Sequence, residues 1–125
     1  MVILRTGVDI IEIERFASAY KRYGRRLLQR LFTINEIIEN GENIASLAAR
    51  FAAKEAVIKA SGSRASIPLV DIEVVNDERG NPTIQARGAL EAFFRRNAFS
   101  KVHLSMSHEK EYGIAFVVLE RQDIC

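Results

Sequence analysis

Apolar residues recur with one spacing in the first half of the chain and another in the second. Val2 to Ile11 (VILRTGVDII) is β-branched and apolar enough for a buried strand, and its end sets Asp9 among Val8, Ile10 and Ile11. Glu14 to Tyr23 and Arg25 to Leu31 read as one or two short helices interrupted at Gly24. Thr33, followed three residues later by Glu36, has the spacing of a capping box, so another short helix starts there. A long helix follows from about Asn43 and stops near Gly62, because Ser61-Gly62-Ser63 is a C-cap and loop sequence.

The long helix carries an unusual pattern. Ala, Leu, Lys, Glu and Arg dominate it from Ala45 to Ala60, with no Gly or Pro inside. At roughly 100° per residue, Leu47, Phe51 and Ile58 fall on one line, the usual core-facing stripe. Ala49, Ala53, Ala56 and Ala60 lie opposite, where a solvent-facing helix carries charge. Small residues let another backbone come close, so this helix is expected to be covered on both sides. Charges are confined to the flanks: Arg50 and Lys54 on one, Glu55 and Lys59 on the other. Glu55 sits beside Phe51 and Ala48, partly desolvated, with Lys59 one turn on. As a plain i,i+4 pair these two contribute about 0.2–0.5 kcal/mol. A functional reading of them needs support from elsewhere in the chain.

After Gly62 the period shortens. Val70 to Asn76 alternates, Asp77-Glu78-Arg79-Gly80-Asn81-Pro82 is turn chemistry, and Thr83 to Ala86 resumes an extended run, which predicts a hairpin. Gly88 to Asn97 reads as a helix with Leu90, Phe93 and Phe94 facing the core. Val102 to Ser107 and Tyr112 to Glu120 are strands joined through His108-Glu109-Lys110-Glu111, a second hairpin. His103, Ser105 and Ser107 share one face of the first of these, and Val102, Leu104 and Met106 the other. Helices and hairpins are segregated rather than alternating, so the class is α+β, with antiparallel strands packed against a long central helix. No linker or repeat divides residues 1–125, and the length suits a single domain.

Composition narrows the class further. With 48% hydrophobic and 27% charged residues, the chain has the balance of a soluble globular protein. No apolar run approaches the roughly 20 residues of a membrane span, and the N-terminus lacks a signal-peptide layout. The single cysteine, Cys125, excludes an internal disulfide and fits a reducing cytoplasm. Net charge is +2, but six basic residues and no acid lie between Arg15 and Arg30 (Arg15, Lys21, Arg22, Arg25, Arg26, Arg30), so the rest of the chain is net negative. Such a patch attracts anionic partners: nucleic acid, anionic lipid or an acidic protein.

Two acids stand out by environment, Asp9 at the end of an apolar strand and Glu55 on the flank of the doubly covered helix. Burying a lone carboxylate is costly, so each calls for a cation, a hydrogen-bond cage or a metal. One carboxylate from a strand and one from a helix suits Mg²⁺, which fills the rest of its shell with water and substrate phosphate. Arg50, Lys54 and Lys59 would supply charge for those phosphates. There is no GxSxG elbow, HExxH, Gly-rich phosphate loop or CxxC. Ser105 and Ser107 have no triad around them. An enzyme built this way takes its nucleophile from the substrate and supplies position and electrostatics, the logic of phosphoryl-type transfer. The competing reading is a non-catalytic module that binds nucleic acid or an acidic protein through residues 15–30. It has no use for Asp9 and Glu55.

Three stretches together resemble one family. They are Gly7-Val8-Asp9-Ile10-Ile11-Glu12-Ile13-Glu14-Arg15-Phe16, then Arg50-Phe51-Ala52-Ala53-Lys54-Glu55-Ala56-Val57-Ile58-Lys59-Ala60, and Leu104-Ser105-Met106-Ser107-His108 with the strand after it. Their order and spacing resemble the 4′-phosphopantetheinyl transferases, and the length resembles the bacterial half-size type, the holo-(acyl-carrier-protein) synthases. The resemblance implies transfer of the phosphopantetheine arm of coenzyme A to a serine of apo acyl carrier protein in fatty acid biosynthesis, leaving 3′,5′-ADP. By motif position it implies that Asp9 and Glu55 hold Mg²⁺ and that Lys59 neutralises phosphate charge or assists proton transfer. Arg50, Lys54, Ser107 and His108 would line the coenzyme A site, His108 near its 3′-phosphate. Glu36 corresponds loosely to an acid of family members and is a candidate base. Arg15 matches a docking arginine for the acidic carrier protein, with Arg22, Arg25 and Arg26 beside it. The resemblance further implies a homotrimer with its active site between neighbours, and neither nucleic acid nor membrane as partner.

Overall fold

The helix α4 (Ile44–Ser61) lies across a three-stranded sheet, and that contact brings Asp9 of the sheet to Lys59 of the helix. The computed structural model describes residues 1–62 and 67–122, so Ser63 of the expected loop and Cys125 lie outside the described residues. The strands β1 (Val2–Glu12), β4 (Phe99–His108) and β5 (Tyr112–Gln122) form an antiparallel sheet in the order β1-β5-β4. A second, two-stranded sheet is the hairpin of β2 (Ile72–Asn76) and β3 (Pro82–Ala86). Between β1 and α4 run α1 (Ile13–Tyr23), α2 (Arg25–Leu31) and α3 (Ile34–Asn40), and α5 (Gly88–Arg96) follows β3. This is the α+β arrangement expected.

Local chemistry sets the boundaries. Gly24 breaks α1 from α2. Thr33 caps α3, accepting from the Glu36 N–H while the Glu36 carboxylate accepts from the Thr33 N–H. Asn43 caps α4 through Ser46 N–H, and Gly62 closes it in the left-handed region at φ 63°.

Both faces of α4 are covered, as the alanine pattern predicts, but the alanine face is the deeper one. Ala49, Ala53, Ala56 and Ala60 are buried against the sheet, whereas of the larger stripe only Leu47 is fully buried and Phe51 and Ile58 are half-buried. The reason is close approach. A Cβ at Gly7 of β1 would overlap the Ala56 carbonyl oxygen and stand 2.8 Å from the Ala60 nitrogen; one at Gly113 of β5 would touch Ala49. Two cores result. Ala52, Val57, Ile72, Val74, Leu90, Val117 and Leu119 make one, and Phe16, Leu28, Phe32 and Leu47 the other. Each large side chain buried this way contributes about 1.5–3 kcal/mol.

The expectation of a buried first strand needs correction. Gly7 and Ile11 turn inward to α4, but Val8 and Ile10 are 52% and 62% exposed on the outer face. Their outer-face neighbours on β5, Ile114 and Phe116, are also exposed. The run reads as doubly buried because both faces are apolar, while helices cover only one. Among the described residues no helix is long and apolar enough to cross a membrane.

Candidate active site

Asp9 points from the inner face of β1 toward α4, where alternation with Gly7 and Ile11 places it. Lys59, in the last turn of α4, donates from Nζ to Asp9 Oδ1 at 2.8 Å and to the Val8 carbonyl at 3.1 Å. The Asp9 side chain is only 17% exposed and that of Lys59 55%, so the lysine reaches out of solvent to a sheltered carboxylate. Glu55, one turn earlier on the same flank, is half-buried. Burial pushes its carboxyl above the usual glutamate range, the Asp9 charge pushes it further, and Lys59 pulls part of the way back. Two carboxylates that repel one another thus share one lysine.

The pair opens into a cleft of about 420 Å³ whose walls include Phe16, Leu27 and Phe51, with Arg15 at the same opening. Among the described residues no three His, Cys, Asp or Glu side chains gather as a ready metal cage. A hard divalent cation still fits here. Two carboxylates whose repulsion Lys59 relieves only in part are donors that Mg²⁺ accepts, with water and substrate oxygens completing six.

Lys54 and Glu36 are not part of that opening. Lys54 Nζ lies 2.6 Å from Glu36 Oε1 with both side chains at 0% exposure, and it also donates to the Leu69 carbonyl at 3.0 Å. Glu36 further accepts from the Thr33 and Val74 N–H groups. Of the residues expected in the coenzyme A site and as base, Lys54 and Glu36 are therefore joined to each other inside the chain, and neither side chain meets solvent or the cleft. Burial lowers the affinity of Lys54 for its proton, and the Glu36 charge and hydrogen bond oppose that. Arg50 is also mostly inside, at 8% exposure, with Nη1 on Ser46 Oγ at 2.6 Å and Nε buried without a hydrogen-bond partner.

Ser107 and His108 end β4 on the exposed side. Ser107 is level with Ile114, which is level with Ile10, so it shares the outer face of the sheet while Asp9 faces inward. They form a shallow hollow with Ile10, Tyr112 and Ile114. One chain therefore brings Asp9, Glu55, Lys59 and Arg15 together and leaves Ser107 on the other face of the sheet, with His108 exposed at the strand end next to it. Arg22, Arg25 and Arg26 are exposed on α1 and α2 with Arg15, Lys21 and Arg30. Sequence reasoning missed the apolar cleft wall. The signal was present in Phe16 and Ala19, which lie at helical spacing among the basic residues of α1.

Sheltered paired acids, a lysine bound to one of them and a basic approach are an arrangement able to hold a cation and anionic phosphate groups. The family model of the 4′-phosphopantetheinyl transferase superfamily matches residues 5–117, and the chain belongs to that superfamily. It is 39% identical to the holo-[acyl-carrier-protein] synthase of Geobacter metallireducens, over 96% of this chain and 99% of that one. Among solved structures it is similar to the holo-[acyl-carrier-protein] synthase of Neisseria meningitidis, with TM-score 0.84 and 34% identity over 92% of this chain and 96% of that one. It is also similar to the Bacillus anthracis enzyme in complex with coenzyme A (3′,5′-ADP), with TM-score 0.79 and 35% identity over 98% and 100% of the two chains.

Proposed function

We propose that this chain is a holo-[acyl-carrier-protein] synthase, acting as one domain over residues 1–125, which transfers the 4′-phosphopantetheine arm of coenzyme A to a serine of apo acyl carrier protein. The observation that carries the reading is the Asp9–Lys59–Glu55 cluster at the mouth of a cleft that Arg15 shares, in a chain of the transferase superfamily. In the reaction the serine hydroxyl loses its proton to solvent water as its oxygen bonds to the phosphorus bearing the pantetheine arm. The bond from that phosphorus to the bridging oxygen breaks, and 3′,5′-ADP leaves with the electron pair. Asp9 and Glu55 would hold Mg²⁺, which when bound supplies positive charge against the pyrophosphate. Lys59 Nζ, exposed on the other side of Asp9, neutralises charge as it builds on the leaving phosphate. Phe16, Leu27 and Phe51 keep water from that wall of the cleft.

The exposed arginines Arg15, Arg22, Arg25 and Arg26 dock the acidic carrier protein, whose charge theirs complement. The outer sheet face, with Val8, Ile10, Ile114 and Phe116 exposed, is apolar enough to seat further copies of the chain, and a homotrimer closes such a contact. Ser107 and His108 then serve the coenzyme A of a neighbouring copy, which accounts for their exposure at the end of β4, away from the cleft. Arg50, 8% exposed and with its Nε buried, remains a candidate for the same ligand through its charge rather than through an Nε bond. A chain with one cysteine needs no oxidising compartment, and the cytoplasm is the proposed place of action.

The test is intact-mass spectrometry of an apo acyl carrier protein incubated with the chain, coenzyme A and Mg²⁺. The expected result is a gain of one phosphopantetheine. Unchanged mass across fatty-acid and polyketide carrier proteins rejects the reading.

A further inference from the structure

We propose that the buried Lys54–Glu36 pair is a positioning device for the transfer site: it sets the rotation of α4 and thereby the direction in which Glu55 meets Asp9. The assignment rests on the transferase reading of that site. Lys54 immediately precedes Glu55, and successive helical residues point about 100° apart. A side chain pinned inward at Lys54 therefore turns Glu55 onto the flank beside β1, and Lys59 follows one turn later.

The packing of α4 on the sheet sets how closely the two approach. Ala49, Ala53, Ala56 and Ala60 lie on strands that present Gly7 and Gly113, a contact of small residues whose side chains make no hydrogen bond to the sheet. Lys54 is different. Its ammonium meets Glu36 Oε1 of α3 at 2.6 Å, the Leu69 carbonyl ahead of β2 at 3.0 Å, and the face of Phe32 at 5.1 Å from the ring centre. Glu36 is itself held by the Thr33 and Val74 N–H groups. Thr33 Oγ1 donates to Glu73 Oε2 at 2.5 Å, and the Arg87 guanidinium donates to Glu73 Oε1 at 2.7 Å. Five side chains thus join α3, α4, β2 and the approach to α5 through directional bonds. A buried ion pair is weak evidence for stability; its best-attested use is to select one arrangement among several.

The experiment compares the wild-type chain with Glu36→Gln and with the double variant Glu36→Gln/Lys54→Met, in which no charge is left buried alone. Three quantities are read: melting temperature, binding of Mn²⁺ alone to the free enzyme, and kcat and KM for coenzyme A and apo carrier protein. In the folded double variant kcat falls about tenfold or more, Mn²⁺ binds about tenfold more weakly, and both KM values stay within about twofold. Should the double variant not fold, Glu36→Asp, which keeps the charge and shortens the reach, is read by the same quantities. Wild-type Mn²⁺ affinity and kcat in a folded variant, with only the melting temperature changed, overturn the proposal. A wild-type chain that transfers nothing, in a series where the variants still lose Mn²⁺ affinity, overturns the transferase reading and leaves the positioning role standing.

Discussion

At Glu55 the demands of folding and of chemistry pull apart. Burial and the Asp9 charge raise its carboxyl above the ordinary 4.5, so the folded chain holds that proton more tightly than the unfolded chain does. Its contribution to stability is therefore present below the unfolded value and is lost as pH rises through the raised folded one. Cation binding needs the opposite, ionised form. We expect Glu55→Gln to melt no lower than wild type at neutral pH while its turnover falls on the order of 10²-fold; thermal melts beside transfer assays read both. A variant that melts clearly lower and still turns over contradicts this balance. Glu73 runs the other way. Burial raises its carboxyl, but hydrogen bonds from Thr33 and Arg87 and the charge of Arg87 outweigh that and hold it low, a stabilisation present at neutral pH and lost in acid. Glu55 was legible in the sequence as an acid among apolar neighbours. The burial of Lys54 and Glu36 was not, because a lysine on a helix flank looks the same whether water or a glutamate from another helix receives it.

The contact of α4 with β1 and β5 depends on small residues from both sides. The alanine face announced that another backbone would come close, but the pattern alone did not say that it was the sheet of the same chain. Gly7 is the matching half of the message: no Cβ fits beneath Ala56 and Ala60. Gly7→Val forces the helix off the sheet, and overpacking of this kind costs about 3 kcal/mol at the upper end of its usual range. Denaturant unfolding should show that loss, and a variant as stable as wild type would mean that α4 sits less tightly. Helix caps at Thr33, Asn43 and Gly62 and the break at Gly24 were all legible, since each is a local rule written in adjacent residues. The β4–β5 hairpin was legible for the same reason, but the pairing of β1 with β5 was not, because it joins the two ends of the chain.

For the molecule as a whole, a face of the sheet carrying Val8, Ile10, Ile114 and Phe116 in the open is a surface suited to copies of itself. Phe116→Glu, placed on the central strand of that face, should yield monomers by light scattering, and activity should fall with assembly if Ser107 and His108 work for a neighbour. A trimer unaffected by the change would move the interface elsewhere. The outer face escaped the sequence reading because a strand apolar on both sides looks buried until the number of covering layers is known. One measurement tests the proposed transfer most directly: 3′,5′-ADP released against phosphopantetheine gained by the carrier protein, for the wild-type chain, for Asp9→Ala and with EDTA. Equal amounts of the two products are expected for the wild type and neither in the controls; coenzyme A cleaved without carrier gain, or full transfer by Asp9→Ala, would contradict the proposed transfer.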